Sequence, residues 1–115
     1  MGTFAAGQVV LVNFPFSDLT ASKMRPAIIL AEAGRGDWVP SQITSKPYGD
    51  PIAVQLENSD FAQGSLRLTS YARPGKLFTA HFSLIAGKVA SLRDEKFIEV
   101  RDAIIRMLQT SAGKA

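Results

Sequence analysis

Residues 8–14 (Gln-Val-Val-Leu-Val-Asn-Phe) and 26–31 (Pro-Ala-Ile-Ile-Leu-Ala) are short apolar runs, the first stopped by Pro15 and the second by Gly34 and Gly36. Both read as largely buried strands, Gln8 to Phe14 and Pro26 to Ala31, so the chain starts by building a sheet. Between them, Pro15 to Arg25 is studded with small polar residues and too long for a tight hairpin turn, and it reads as a mobile loop. A third strand is predicted over Trp38 to Thr44, where Pro40 removes one ladder donor and calls for an edge or a bulge. Further strands are predicted over Ile52 to Leu56, Leu66 to Arg73 and Leu84 to Val89, set apart by Gly64, Pro74 and Gly75. The period then changes: Phe97, Val100, Ile104 and Met107, flanked by Ile98, Ile105 and Leu108, recur at helical spacing. Ser91, with Asp94 three positions later, predicts a capping box at the start of that helix. Short strands followed by one amphipathic helix predict a mainly β (β-rich α+β) fold, a small, strongly bent antiparallel β-barrel closed by a C-terminal α-helix. At 115 residues the expectation is a single domain over 1–115.

Composition narrows the chemistry. With 46% hydrophobic and 20% charged residues the chain has the apolar surface a folded globule needs. No cysteine occurs, which excludes disulfides, thiolate metal sites and cysteine nucleophiles. The single histidine, His81, cannot form a His-rich zinc site or a two-histidine acid–base pair within one chain. No apolar run approaches the roughly 20 residues of a membrane helix, and the first residues lack the features of a signal peptide or a myristoylation signal. The expectation is a soluble, cytoplasmic protein with no membrane partner.

Charge is unevenly spread. Residues 1–60 carry four basic and six acidic side chains, a net of −2, whereas residues 61–115 carry nine and four, a net of +5. A polyanionic partner is one reading of this surplus and simple solvation of a helix or turn is the other.

Gly7-Gln8-Val9-Val10-Leu11-Val12-Asn13-Phe14-Pro15, a polar loop, and then Arg25-Pro26-Ala27-Ile28-Ile29-Leu30 resemble the opening of the PemK/MazF family of toxin endoribonucleases. Gln42-Ile43-Thr44-Ser45 is similar to the family's third-strand segment. Arg73-Pro74-Gly75-Lys76-Leu77-Phe78-Thr79 is similar to the segment before its last strands in the PemK-like branch. The order and spacing of these segments carry the resemblance, from Gly7 to about Val89. It implies a compact plasmid-maintenance-toxin barrel with a terminal helix, a homodimer, and a sequence-specific, metal-independent endoribonuclease that needs no cofactor. It also implies single-stranded RNA as substrate and a cognate antitoxin that holds the toxin inactive.

In RNA the 2′-hydroxyl beside the scissile phosphate is an intramolecular nucleophile, so an enzyme mainly orients the strand and stabilises charge. Arg25 is the first candidate, because Pro26 biases it to an extended backbone and a guanidinium can fork two phosphate oxygens. The alternative reading of Arg25 is an exposed salt bridge with Asp18. Thr44, by the family match, and Arg73, as a second positive group, complete the catalytic candidates. Their alternatives are a strand-end hydroxyl bonded to nearby backbone and a solvated residue before a turn. Phe16, Ser17, Asp18, Gln42 and Ser45 are candidate substrate contacts. Phe16, Trp38 and Tyr48 are the aromatic side chains available to stack on a base, and Asp18 is a candidate base. Two departures from some family members stand out: Gly75 where they carry an acidic residue, and a 15–24 loop without histidine. The competing reading is a non-catalytic binding module on the same fold, an RNA binder or a poison of the kind seen in the related CcdB toxins of DNA gyrase. Those toxins depend on a Trp-Gly-Ile end, and this chain finishes Ala112-Gly113-Lys114-Ala115. His81 reads more readily as a structural histidine than as a catalytic one.

Overall fold

The two apolar runs pair with each other as an antiparallel hairpin, β1 (Gln8–Pro15) and β2 (Ser22–Gly34), with Val9 opposite Ile28 and Pro15 opposite Ser22. The chain continues through β3 (Asp37–Thr44), β4 (Val54–Leu56), β5 (Phe61–Gly64), β6 (Ser70–Leu77), β7 (Ala80–His81), β8 (Ile85–Leu92) and one helix, α1 (Asp94–Ala112). This computed structural model describes residues 4–15, 22–47 and 49–112.

The eight strands of the described residues join one antiparallel sheet in the order β4-β6-β3-β2-β1-β8-β5, with β7 pairing β3 beside β6. The two edge strands are consecutive in the chain. Seven strands laid flat would span about 29 Å, yet the stretch from Leu56 to Phe61 reaches at most about 18 Å. The sheet therefore has to curl, and it forms a half-barrel with the helix across it.

Alternation along the central strands feeds two cores. Val9, Ile28, Ile43 and Ala72 pack on one face with Val100, Ala103 and Ile104 of α1. Val10, Val12, Ala27, Ile29, Trp38 and Ile85 pack on the other. Trp38 is buried there, edge-on to Phe4 at 5.7 Å between ring centroids, and so is not available for stacking on a ligand. Pro40 lies in a central strand, where the pairing shifts: Ile29 faces Pro40 and Ala31 faces Val39, leaving Leu30 as the extra residue of a bulge.

Several sequence-based boundaries move. The segment from Pro15 to Arg25 is not all loop, because Ser22 to Arg25 pair with β1 and only residues 16–21 connect the strands. Ser91 does not cap the helix. It lies in β8, opposite Gln8 and Gln63, and the helix starts at Asp94, with the Arg93 carbonyl accepting from the Phe97 N–H. Asp94 and Glu95 then place two carboxylates at the positive end of the helix dipole. The same end is tied to a 3-10 turn at Asn58–Asp60: Arg93 donates to the carbonyls of Asp60 and Ser59, and Lys96 donates to Gln55 and approaches Asp60 at 3.7 Å. The strand expected over Leu66 to Arg73 begins instead at Ser70 and runs through a buried Pro74 to Leu77.

This helix registration separates two adjacent residues. Ile104 is 8% exposed against the sheet and Ile105 is 42% exposed. Ile104→Ala is expected to lower stability by about 3 kcal/mol and Ile105→Ala by less than about 1 kcal/mol, as read by urea denaturation. Equal losses would place α1 in another rotation.

Candidate active site

β2 is paired on its two sides over different stretches. β1 pairs residues 22–28 and β3 pairs residues 27–34, so only Ala27 and Ile28 have partners on both sides. Below that point β2 and β3 diverge. Pro26, which has no N–H to donate, stands at the fork. The gap between the banks is an open cleft of about 260 Å³. Lys23, Met24, Arg25 and Pro26 line one bank, Ile43, Thr44 and Ser45 the other, and the bend of Leu66, Arg67 and Leu68 with Ser70 forms the third wall. Because the gap lies in the plane of the sheet, side chains of both alternation phases border it.

The structure thus brings Arg25, Thr44 and Ser45 together from positions about 20 residues apart in sequence. Carrying the Ala27–Gln42 register two residues further sets Arg25 opposite Thr44. Gln42 itself sits at the last pair above the fork and does not line the cleft. Among the described residues the lining carries three cations, Lys23, Arg25 and Arg67, and no carboxylate. Among the described residues none of the three is in an ion pair, although Arg73, Lys96 and Arg101 all are. The Thr44 hydroxyl donates to the Lys46 carbonyl and accepts from the Lys46 N–H, both at 3.1 Å, which closes the end of β3 and fixes the side chain. Phe16, Ser17, Asp18 and Tyr48 lie outside the described residues. Among the described residues there is no cluster of three or more His, Asp or Glu able to hold a metal ion.

Arg73 stands apart from this cleft. Its Nε donates to Asp50 Oδ2 at 2.9 Å, in a pair with little exposure on either side chain, and its carbonyl accepts from the buried Ser41 hydroxyl at 2.7 Å. Its guanidinium is committed to Asp50, which commits the segment after Thr44 to β6. Gly75, two residues on, is not required by its surroundings, since a Cβ there would meet only Met107 Sδ at an ordinary 3.6 Å. His81 accepts from the Ser83 N–H through Nδ1 at 3.3 Å and packs on Phe82, so it shapes the 3-10 turn at Phe82–Leu84. Sequence reasoning missed Lys23 and Arg67, which enter the cleft only through the length of β2 and the bend before β6.

Burial pushes the Asp50 carboxyl up, but the Arg73 hydrogen bond, the Ile52 N–H and the charges of Arg73 and Lys76 outweigh it and hold it below its ordinary 3.8. A carboxyl lowered by folding stabilises the folded state above the unfolded-chain value and loses that contribution as pH falls through its folded value. Asp50→Asn is expected to cost about 1–2 kcal/mol at pH 7. The gap in urea midpoint between this variant and the unmodified chain should be full above pH 3.8 and close as the pH falls below it through the lowered folded value. A gap that stays constant with pH would mean that the ion pair contributes nothing.

The sequence matches the family described as PemK-like, MazF-like toxin of type II toxin-antitoxin system over residues 5–108. Among solved structures, the fold is similar to MazE-MazF from Deinococcus radiodurans, with a TM-score of 0.74, 21% identity and coverage of 92% of this chain and 96% of that one. It is also similar to an endoribonuclease in complex with its cognate antitoxin from a mycobacterial species, with a TM-score of 0.71, 17% identity and coverage of 95% and 96%. A third likeness is to the Mycobacterium tuberculosis toxin MazF-mt6, with a TM-score of 0.65, 16% identity and coverage of 87% and 96%. No curated protein sequence matches the chain significantly. The match extends over both banks of the cleft and the bend that closes it, and the chain belongs to the PemK-like, MazF-like toxins of type II toxin–antitoxin systems.

Proposed function

We propose that the protein is an endoribonuclease toxin that cuts single-stranded RNA at short sequences without a metal ion. The observation that carries this reading is the cleft that Arg25 and Thr44 line together with Lys23 and Arg67, and whose described lining holds no carboxylate. A cleft of that charge attracts a phosphodiester and repels a divalent cation. In the reaction the O2′ of one nucleotide attacks the adjacent phosphorus and the bond to O5′ breaks. The O2′ proton leaves to a base and a proton is delivered to O5′, giving a cyclic phosphate and a free 5′-hydroxyl. Arg25 forks the non-bridging oxygens, whose charge grows in the transition state. The Thr44 hydroxyl exchanges its bond to the Lys46 carbonyl for one donated to the same phosphate or to the 2′-hydroxyl, while the Lys46 N–H keeps its oxygen in place, and Ser45 donates beside it. Arg73 acts by holding the segment after Thr44 through Asp50. Phe16, Ser17 and Asp18, in the connection that follows β1, are assigned to substrate contact, with Asp18 as a candidate base.

The whole of residues 1–115 is taken as one toxin domain that works as a homodimer in the cytoplasm and is silenced by a cognate antitoxin. The similar mycobacterial endoribonuclease is described as a complex with its cognate antitoxin, and the similar Deinococcus radiodurans structure as MazE-MazF, which supports that partner. Among the described residues no helix is long and apolar enough to cross a membrane.

The test is incubation of the protein with a long single-stranded RNA in EDTA, with fragment ends mapped and Arg25→Ala run in parallel. Cuts at a recurring short sequence are expected, and Arg25→Ala should slow them by about 100- to 1,000-fold with an unchanged thermal midpoint. RNA that is bound but stays intact would favour the non-catalytic module. Full activity in Arg25→Ala would remove the arginine from the chemistry.

A further inference from the structure

Two exposed large apolar side chains, Leu68 at 65% and Met24 at 42%, line the same cleft as its three cations. Leu68 follows Arg67 on the bend before β6, and Met24 precedes Arg25 on β2. Nothing in the fold uses these side chains: neither belongs to either core, and Arg67 has no ion pair or hydrogen bond among the described residues. An apolar side chain left in water beside an unpaired guanidinium matches the two halves of a nucleotide, a flat apolar base and a charged phosphate.

From this juxtaposition we infer that Arg67, Met24 and Leu68 form a second nucleotide subsite, adjoining the one at Arg25 and Thr44. Arg67 binds a phosphate next to the scissile one, and Met24 and Leu68 cover the face of the base attached to it. Arg67 comes from the third wall of the cleft, so the strand is gripped from the bend as well as from β2 and its path past Arg25 is fixed. Met is flexible and polarisable, which allows this subsite to accept bases by shape and stacking. The inference rests on the RNA reading above and adds a second contact to it.

The probe is a fluorescein-labelled 12-nucleotide RNA of mixed sequence with every 2′-hydroxyl methylated, which can be bound and not cut, followed by anisotropy over a salt series. Arg67→Gln is expected to weaken binding about tenfold at low salt and to reduce the slope of log K against log salt by about 0.7, the loss of one phosphate contact. Arg67→Lys should keep the slope. The double variant Met24→Ala, Leu68→Ala should weaken binding about threefold with the slope unchanged. Thermal midpoints of all three should match the unmodified chain, because the replaced side chains are outside both cores. Unaltered affinity and slope in Arg67→Gln, with the unmodified protein binding the probe, would overturn this inference alone. An unmodified protein that binds no RNA would overturn the RNA reading with it. Binding of polyglutamate in place of RNA would assign the cleft to an acidic protein segment and overturn it too.

Discussion

Ile28 and Ile29 are consecutive residues of β2, point to opposite faces of the sheet, and are both inaccessible to water. A strand can bury neighbours in this way only if the sheet is covered on both sides. Much of the architecture follows from that requirement. Helix α1 supplies Val100, Ala103 and Ile104 over the face of Ile28. Trp38 and Ile85, with Phe4 and Phe78 beside them, cover the face of Ile29. Register is then fixed, since a slip of one residue would exchange the two cores. The short link between the edge strands bends the sheet around the first of them.

The same strand also creates the site. Its partners are staggered, so β2 has strand partners on both sides only at Ala27 and Ile28, and its polar end is left with β1 alone. The cleft is thus a place where the sheet is unfinished, with Pro26 at the fork and cations on its banks. Rigidity comes from the rest: the Thr44–Lys46 turn closes one bank, and the Asp50–Arg73 pair ties the following segment to β6. Charged side chains on a well-supported edge are suited to binding a flexible polyanion, because the ordering cost falls mainly on the ligand.

The strong elements were legible from local pattern. Apolar runs cut by Pro and Gly mark β1, β2 and β3, the missing donor of Pro40 calls for an edge or a bulge and the structure has the bulge, and the spacing of Phe97, Val100 and Ile104 gives the helix and its buried face. What escaped the sequence is what depends on distant partners. Ser22 to Arg25 read as loop because a strand paired on one side and spelled Ser-Lys-Met-Arg shows no apolar alternation. β5 and β7 are four and two residues long, too short for a periodic signal. Arg73 has its carboxylate partner 23 residues away, and no spacing rule pairs them. Arg25 and Thr44 were found through resemblance, whereas Arg67 sits on a bend with no motif and becomes visible only when the third wall of the cleft is in place.

The central claim is that the cleft directs a 2′-hydroxyl onto its neighbouring phosphate, and the most direct measurement is the chemistry of the fragment ends. RNA cut by the protein should carry 2′,3′-cyclic phosphates and 5′-hydroxyls, and a single 2′-deoxy substitution at the cut should block cleavage there. Fragments ending in 3′-hydroxyls and 5′-phosphates, or cleavage indifferent to the 2′-deoxy substitution, would contradict it.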